Sequence, residues 1–204
     1  MSRVEMKEQA KAKIKGFTFT LFLVSIVASL LPSVFSFIPF LGAIITILFL
    51  PFLVFNEIRI YQKFTILDEK PSVDALFKDF QTMWSKTLVL YLLMGLFTFL
   101  WSLLLIVPGI IKGLSYSAAP YIMAANPEIS PMDAIKQSQE LMEGHKSELF
   151  VLILSFIGWE LLACVTCGLL YIWLIPYMTT TMILFYESLR ISPKGYDMPE
   201  MFAN

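Results

Sequence analysis

Charge is what this sequence has least of. Only 15% of its 204 residues are Asp, Glu, Lys or Arg, against 57% hydrophobic residues and a mean hydropathy of +0.73. Soluble domains carry about 25% charged residues. A water-exposed globular fold has nowhere to place this much apolar surface, so that class is excluded. The net charge of −1 supplies no field for nucleic acid. A single histidine, His145, cannot build a zinc site without thiolates or carboxylates set around it. Two cysteines, Cys164 and Cys167, cannot make a disulfide scaffold. No Walker-type phosphate loop, His-Glu-x-x-His or nucleophile elbow occurs. The sequence therefore assigns no catalytic residue, metal ligand or cofactor.

What is there is three long apolar blocks. No charge interrupts the chain between Lys15 and Glu57. Only Lys112 falls between Lys86 and Glu128, and only Glu160 between Glu148 and Glu187. As one straight helix the first block would run roughly 60 Å at ~1.5 Å per residue. The hydrocarbon core is about 30 Å thick. Each block therefore reads as two spans folded back on each other, helical because no backbone polar group stays unpaired in lipid. Turn formers sit where the folds are needed: Pro32-Ser33 to Ile38-Pro39, Val107-Pro108-Gly109, and Thr166-Cys167-Gly168. The predicted spans are 17–36, 39–56, 87–107, 109–126, 149–167 and 169–187.

The expected fold is all-α: a polytopic membrane bundle over 1–190, six transmembrane helices as three hairpins, with a cytoplasmic tail at 191–204. Arg3, Lys7, Lys11, Lys13 and Lys15 resemble a signal peptide's charged region. The apolar run after them is too long for a signal and lacks a cleavage site, so the first span is expected to stay attached. With the N-terminus inside, every one of the 15 Lys and Arg except Lys112 falls on the cytoplasmic side. This predicts a multi-pass protein of the cell membrane with both termini cytoplasmic.

The connectors between hairpins resemble each other. Pro71-Ser72-Val73-Asp74-Ala75-Leu76-Phe77 parallels Ser130-Pro131-Met132-Asp133-Ala134-Ile135-Lys136. Pro39 to Pro51 and Pro108 to Pro120 repeat the same interval upstream. Such parallel repeats are common in membrane folds. In the first connector Val73, Leu76, Phe77, Phe80 and Trp84 fall on one helical stripe. Ser72 is positioned to cap it. In the second, Ser130 caps, Pro131 suits the first helical position and Asp133 completes a capping-box pattern. Both connectors are thus expected as amphipathic interfacial helices. They either dock a membrane or cytoplasmic protein partner or pack on their own bundle. Their acidic residues argue against binding anionic lipid.

The stretch from Ile106-Val107-Pro108-Gly109 through Lys112-Gly113-Leu114-Ser115-Tyr116 to Ala119-Pro120-Tyr121 is the most distinctive. It continues through Asn126-Pro127-Glu128, Gly144-His145-Lys146 and Phe156-Ile157-Gly158-Trp159 to Leu174-Ile175-Pro176-Tyr177 and Phe185-Tyr186-Glu187. Ala10-Lys11 and Ile14-Lys15-Gly16 match at the opening. This resembles the bacterial integral membrane family catalogued as domain of unknown function 975, over most of the chain. It is more distantly similar to the membrane domain attached to some glycerophosphodiester phosphodiesterases, whose catalytic domain has no counterpart here. The resemblance implies a helical membrane fold and no reaction or site. Cys164 and Cys167 are not part of the family's pattern.

Two intramembrane charges are the candidate polar site. Glu160 lies well inside predicted span five, where an unpaired ionisable group costs several kcal/mol. Lys112 lies at comparable depth and is its expected partner. Either they form a proton, ion or headgroup site, or they are a structural pair. Gly113 and Ser117 on span four fit close helix packing or a cavity lining. Cys164-Val165-Thr166-Cys167 puts two thiols on one helical face, for packing or redox chemistry. The first functional expectation is a non-enzymatic accessory, scaffold or partner-binding membrane component. The second is a small transporter, channel or lipid-handling protein using Lys112 and Glu160. A membrane enzyme ranks third. The expected partners are membrane lipid and a protein, with no nucleic acid.

Overall fold

The computed structural model describes residues 2–34, 38 and 40–190, and every regular element among them is helical. Helix α1 spans Arg3–Ile14 and opens with a reciprocal capping box between Ser2 and Glu5. Met6, Ala10 and Ile14 recur every four residues and bury one face. Gly16, at φ 91°, then turns the chain by 95° into α2, Thr18–Ser33. Only a residue without Cβ enters that region cheaply. The basic opening of the chain is thus itself a packed helix, lying against the C-terminal helix.

Helix α3, Leu41–Leu67, runs past residue 56, where its span was expected to end. The expectation took Glu57 as the edge of the apolar block. The residues after it, including Ile58, Ile60, Tyr61, Phe64 and Thr65, are nonetheless buried, so the helix continues until Asp68 stops it in the left-handed region. The first connector is not the predicted amphipathic helix. Val73–Phe77 forms a short 3-10 turn, Lys78 is extended, and Asp79 is left-handed at φ 59°. Helix α4, Phe80–Leu104, then begins at once, seven residues before the predicted span at 87.

The α4–α5 turn lies at Leu105 (φ −161°), with α5 spanning Ile106–Tyr116. Pro108 and Gly109 sit inside the first turn of α5 rather than between the helices. A proline there forfeits no intrahelical bond. Gly109 is required for a close approach instead: a Cβ would stand 2.9 Å from Ser102 Cα. Predicted span four is broken at Ser117-Ala118, before α6, Ala119–Ala125. Helix α7, Pro131–Leu141, is capped by Ser130, which accepts from Asp133 N–H. It does not lie free on a surface. Ala134, Ile135 and Ser138 are buried against α4, α5 and α6. Ser138 Oγ accepts the Ala118 N–H (3.1 Å) and donates to the Ser115 carbonyl (2.7 Å), satisfying backbone groups that the helix break frees.

Predicted span five is two pieces, α8 (Lys146–Leu154) and α9 (Ile157–Val165). At the break, Lys7 of α1 donates to Ser155 Oγ at 2.6 Å. Cys167 (φ 51°) and Gly168 (φ 84°) make the turn into α10, Tyr171–Arg190, where the sequence placed it. Among the described residues, three helical stretches are long and apolar enough to cross a membrane: Gly42–Leu67, Phe80–Leu104 and Lys146–Val165. The bent α1–α2 pair adds a fourth if taken as one span. Helix α10 is largely a core helix, burying Leu174, Tyr177, Ile183 and Phe185. A continuous apolar surface lies at the α4–α5 tip, where Leu103 through Val107 are all more than 60% exposed. A patch of that kind needs lipid or protein to cover it. The predicted turn at Pro32–Pro39 falls mostly outside the described residues, as does the tail at 191–204.

Candidate functional site

One face of α3 carries the richest arrangement in the molecule. Ile45, Phe49, Phe52, Leu53, Asn56, Arg59, Ile60 and Lys63 recur at i, i+4, i+7, i+8, i+11, i+14, i+15 and i+18, which is a single helical stripe. Its first half is wholly apolar and its second half is basic. The first connector crosses this stripe near its middle.

Two contacts hold the connector there. Asn56, 1% exposed, donates from Nδ2 to the Leu76 carbonyl (3.1 Å). Arg59 pairs with Asp79 at 2.7 Å, fixing the residue whose left-handed backbone launches α4. Phe80 then stacks on Phe49 (centroids 5.9 Å) and meets Phe52 edge-on (5.0 Å). Trp84 donates its indole N–H to the Leu48 carbonyl (2.9 Å). The start of α4 is thereby riveted to the middle of α3.

Two concavities result. Toward the apolar half, Leu31, Pro32, Ile45, Phe49, Phe52, Leu53, Phe77 and Phe80 line a groove of about 430 Å³ with no polar wall among the described residues. Phe77 and Phe80 form its rim and are 52% and 40% exposed. Toward the basic half, a pocket of about 170 Å³ is lined by Asn56, Arg59, Ile60, Lys63, Glu69, Lys70, Ser72, Ala75, Lys78 and Asp79. Its carboxylates are taken up: Asp79 by Arg59, and Glu69 by Lys63 at 3.6 Å. Lys70 and Lys78 are exposed and carry no ion pair among the described residues.

Of the predicted partner face, Leu76 is fully buried and Val73 and Trp84 are half-buried. Phe77 and Phe80 are the exposed ones, and they line the groove. The five residues do not share one helical stripe, because the chain leaves the helical region at Lys78 and Asp79. Ser72, expected to cap, makes no capping bond.

Lys112 and Glu160 do not meet. Lys112 Nζ lies 3.5 Å from Gln139 Oε1 on α7 and 4.9 Å from the Trp101 ring centroid. Glu160 accepts from Tyr171 Oη at 2.7 Å, across the α9–α10 turn. No ion pair joins the two among the described residues. Similar depth placed them together in the sequence, but their helices turn them toward different neighbours. Cys164 and Cys167 are free thiols on exposed positions. His145 lies 3.3 Å from Glu148 at the start of α8.

A second polar cluster was missed. Ser25 Oγ donates to Glu57 Oε1 at 2.6 Å and lies 2.9 Å from Tyr61 Oη, which also approaches the Leu21 carbonyl (3.1 Å). Tyr61 is fully buried and Ser25 is 3% exposed. Reading Glu57 as a border charge hid it. The available signal was Tyr61, one helical turn further on, among the apolar residues Ile58, Ile60, Phe64 and Ile66 that interleave with Arg59 and Lys63.

A family model described as a protein of unknown function (DUF975) matches residues 103–192. The matched segment runs from the end of α4 through α10 and contains most of the motifs that carried the resemblance. The opening motifs at 10–16 lie outside it, so the match is narrower than the resemblance implied. The α3 stripe and both concavities also precede it. No curated protein and no solved structure matches the chain.

Proposed function

We propose that this protein is a non-enzymatic membrane component that handles lipid, holding an acyl chain in the groove between α2, α3 and the start of α4. The observation that carries this reading is the groove itself: about 430 Å³, walled among the described residues by apolar side chains and rimmed by the exposed Phe77 and Phe80. A water-filled groove with such walls is costly, because apolar surface removed from water is worth about 25 cal/mol per Å². Lipid tails are the apolar material at hand around helices of this hydropathy.

The same reading takes the chain as multi-pass in the cell membrane with both termini cytoplasmic and six spans in three hairpins. Its support is the spacing of the charge-poor blocks and the basic residues between them. A transport pathway through Lys112 and Glu160 has no such support, because each is engaged elsewhere. Docking of a protein partner on the Val73–Trp84 segment is weakened by the burial of Leu76.

The test is purification of the full chain in mild detergent, with mass spectrometry of the lipid retained. We expect near-stoichiometric lipid on the native chain. Phe77→Ser should lose most of it without lowering the melting temperature, since that ring is half exposed. Equal lipid on both proteins contradicts the reading.

A further inference from the structure

We infer that the groove and the basic pocket are two halves of one site, built for a phospholipid whose headgroup is anionic. The inference rests on the acyl-chain reading above and names the class of lipid.

Three observations carry it. First, the halves lie on the same stripe of α3. From Ile45 to Lys63 that stripe is about 27 Å long at ~1.5 Å per residue. One leaflet with its headgroups is about 20–22 Å thick, half of a bilayer of roughly 40–45 Å. The whole stripe exceeds one leaflet, but the facing edges of the two halves, Phe52 and Arg59, are only about 10 Å apart at that rise, so a single lipid passing over the connector meets both. Second, one short segment borders both. Ala75, Lys78 and Asp79 line the pocket, while Phe77 and Phe80 line the groove. Apolar and charged side chains are thus presented in the order in which a lipid presents its tail and its phosphate. Third, the pocket's charge is unbalanced. Four cations face two carboxylates, and both carboxylates are occupied by Arg59 and Lys63. The remaining cations, Lys70 and Lys78, point to a ligand that brings its own negative charge. At about 170 Å³ the pocket exceeds several times the ~30 Å³ share of one water, so it admits a phosphodiester with a small polar substituent.

The acidic residues of the connector argued against anionic lipid from sequence. Within the pocket that objection is met, because Asp79 and Glu69 are paired with Arg59 and Lys63, and the connector's Asp74 does not line the pocket.

The experiment uses the full chain in mild detergent. It is titrated with phosphatidylglycerol and with phosphatidylcholine of the same acyl chains, and occupancy is read by native mass spectrometry. Phosphatidylglycerol is expected to bind at least tenfold more tightly. Lys70→Gln and Lys78→Gln should each lower that preference about fivefold, the equivalent of about 1 kcal/mol for one basic residue at an anionic surface. Neither should change affinity for phosphatidylcholine. Lys15→Gln, another exposed basic position with no ion pair among the described residues, should leave the preference unchanged. Equal affinity for the two lipids overturns the headgroup inference and leaves the acyl-chain reading standing. Retention of neither lipid overturns both. Competition by millimolar glycerol phosphate overturns the lipid as source, since a soluble phosphate would then fill the pocket alone. A loss of preference in Lys15→Gln equal to that in Lys78→Gln also overturns it, because a diffuse surface field would then suffice.

Discussion

The two connectors share an Asp-Ala-apolar core and fold in opposite ways. In the second, Ser130 stands three residues before Asp133, so the serine oxygen accepts the Asp133 N–H while its hydroxyl faces the Asp133 carboxylate (2.6 Å). That closes a cap, and Pro131 is pre-set for the first helical turn. Helix α7 follows and buries Ser138 against the α5–α6 break. In the first connector Ser72 stands only two residues before Asp74, and Ala75 occupies the position where a capping partner would be. No cap forms, and the segment becomes a 3-10 turn held by α3 through Asn56 and Arg59. The second connector thus seals the bundle, while the first leaves two lysines and two phenylalanines exposed.

That contrast can be broken by mutation. The largest effect is expected at Ser138→Ala. It strips the Ala118 N–H and the Ser115 carbonyl of their buried partner, which costs about 1–3 kcal/mol. The melting temperature in detergent should fall, and protease sensitivity near residues 115–120 should rise. Ser130→Ala should cost about 1 kcal/mol through the lost cap, read as faster amide exchange over α7 alone. The smallest effect is expected at Ser72→Ala, within about 0.5 kcal/mol of the native chain, because that side chain caps nothing. A loss at Ser72 as large as that at Ser130 would make the two connectors equivalent after all.

The parts of the fold legible in sequence are those governed by local chemistry. The turn at Cys167-Gly168, the start of α2 after Phe17 and the Ser130 cap all come from residue types acting on their immediate neighbours. What was not legible depends on which way a helix faces. Lys112 and Glu160 were matched by depth, yet one points to α7 and the other across the turn to Tyr171. Glu57 marked the edge of an apolar block, yet Ser25 and Tyr61 bring it inside. The basic residues Arg59 and Lys63 set the expected orientation. Their alignment with Ile45, Phe49 and Phe52 was available from the helical period, but only once α3 was known to continue unbroken to Leu67. The connector's return onto that stripe depends on two long-range contacts, Asn56 to Leu76 and Arg59 to Asp79, and no local pattern announces them.

The most direct test of the α3 site is photo-crosslinking in vesicles containing phosphatidylglycerol with a diazirine in its acyl chain, followed by peptide mapping. The site predicts labelling concentrated on Leu31, Ile45, Phe49 and Phe77, and displaced by unlabelled phosphatidylglycerol. Labelling spread along the exposed α4–α5 tip from Leu103 to Val107, with none in the groove and no displacement, would show only surrounding bilayer lipid and would contradict it.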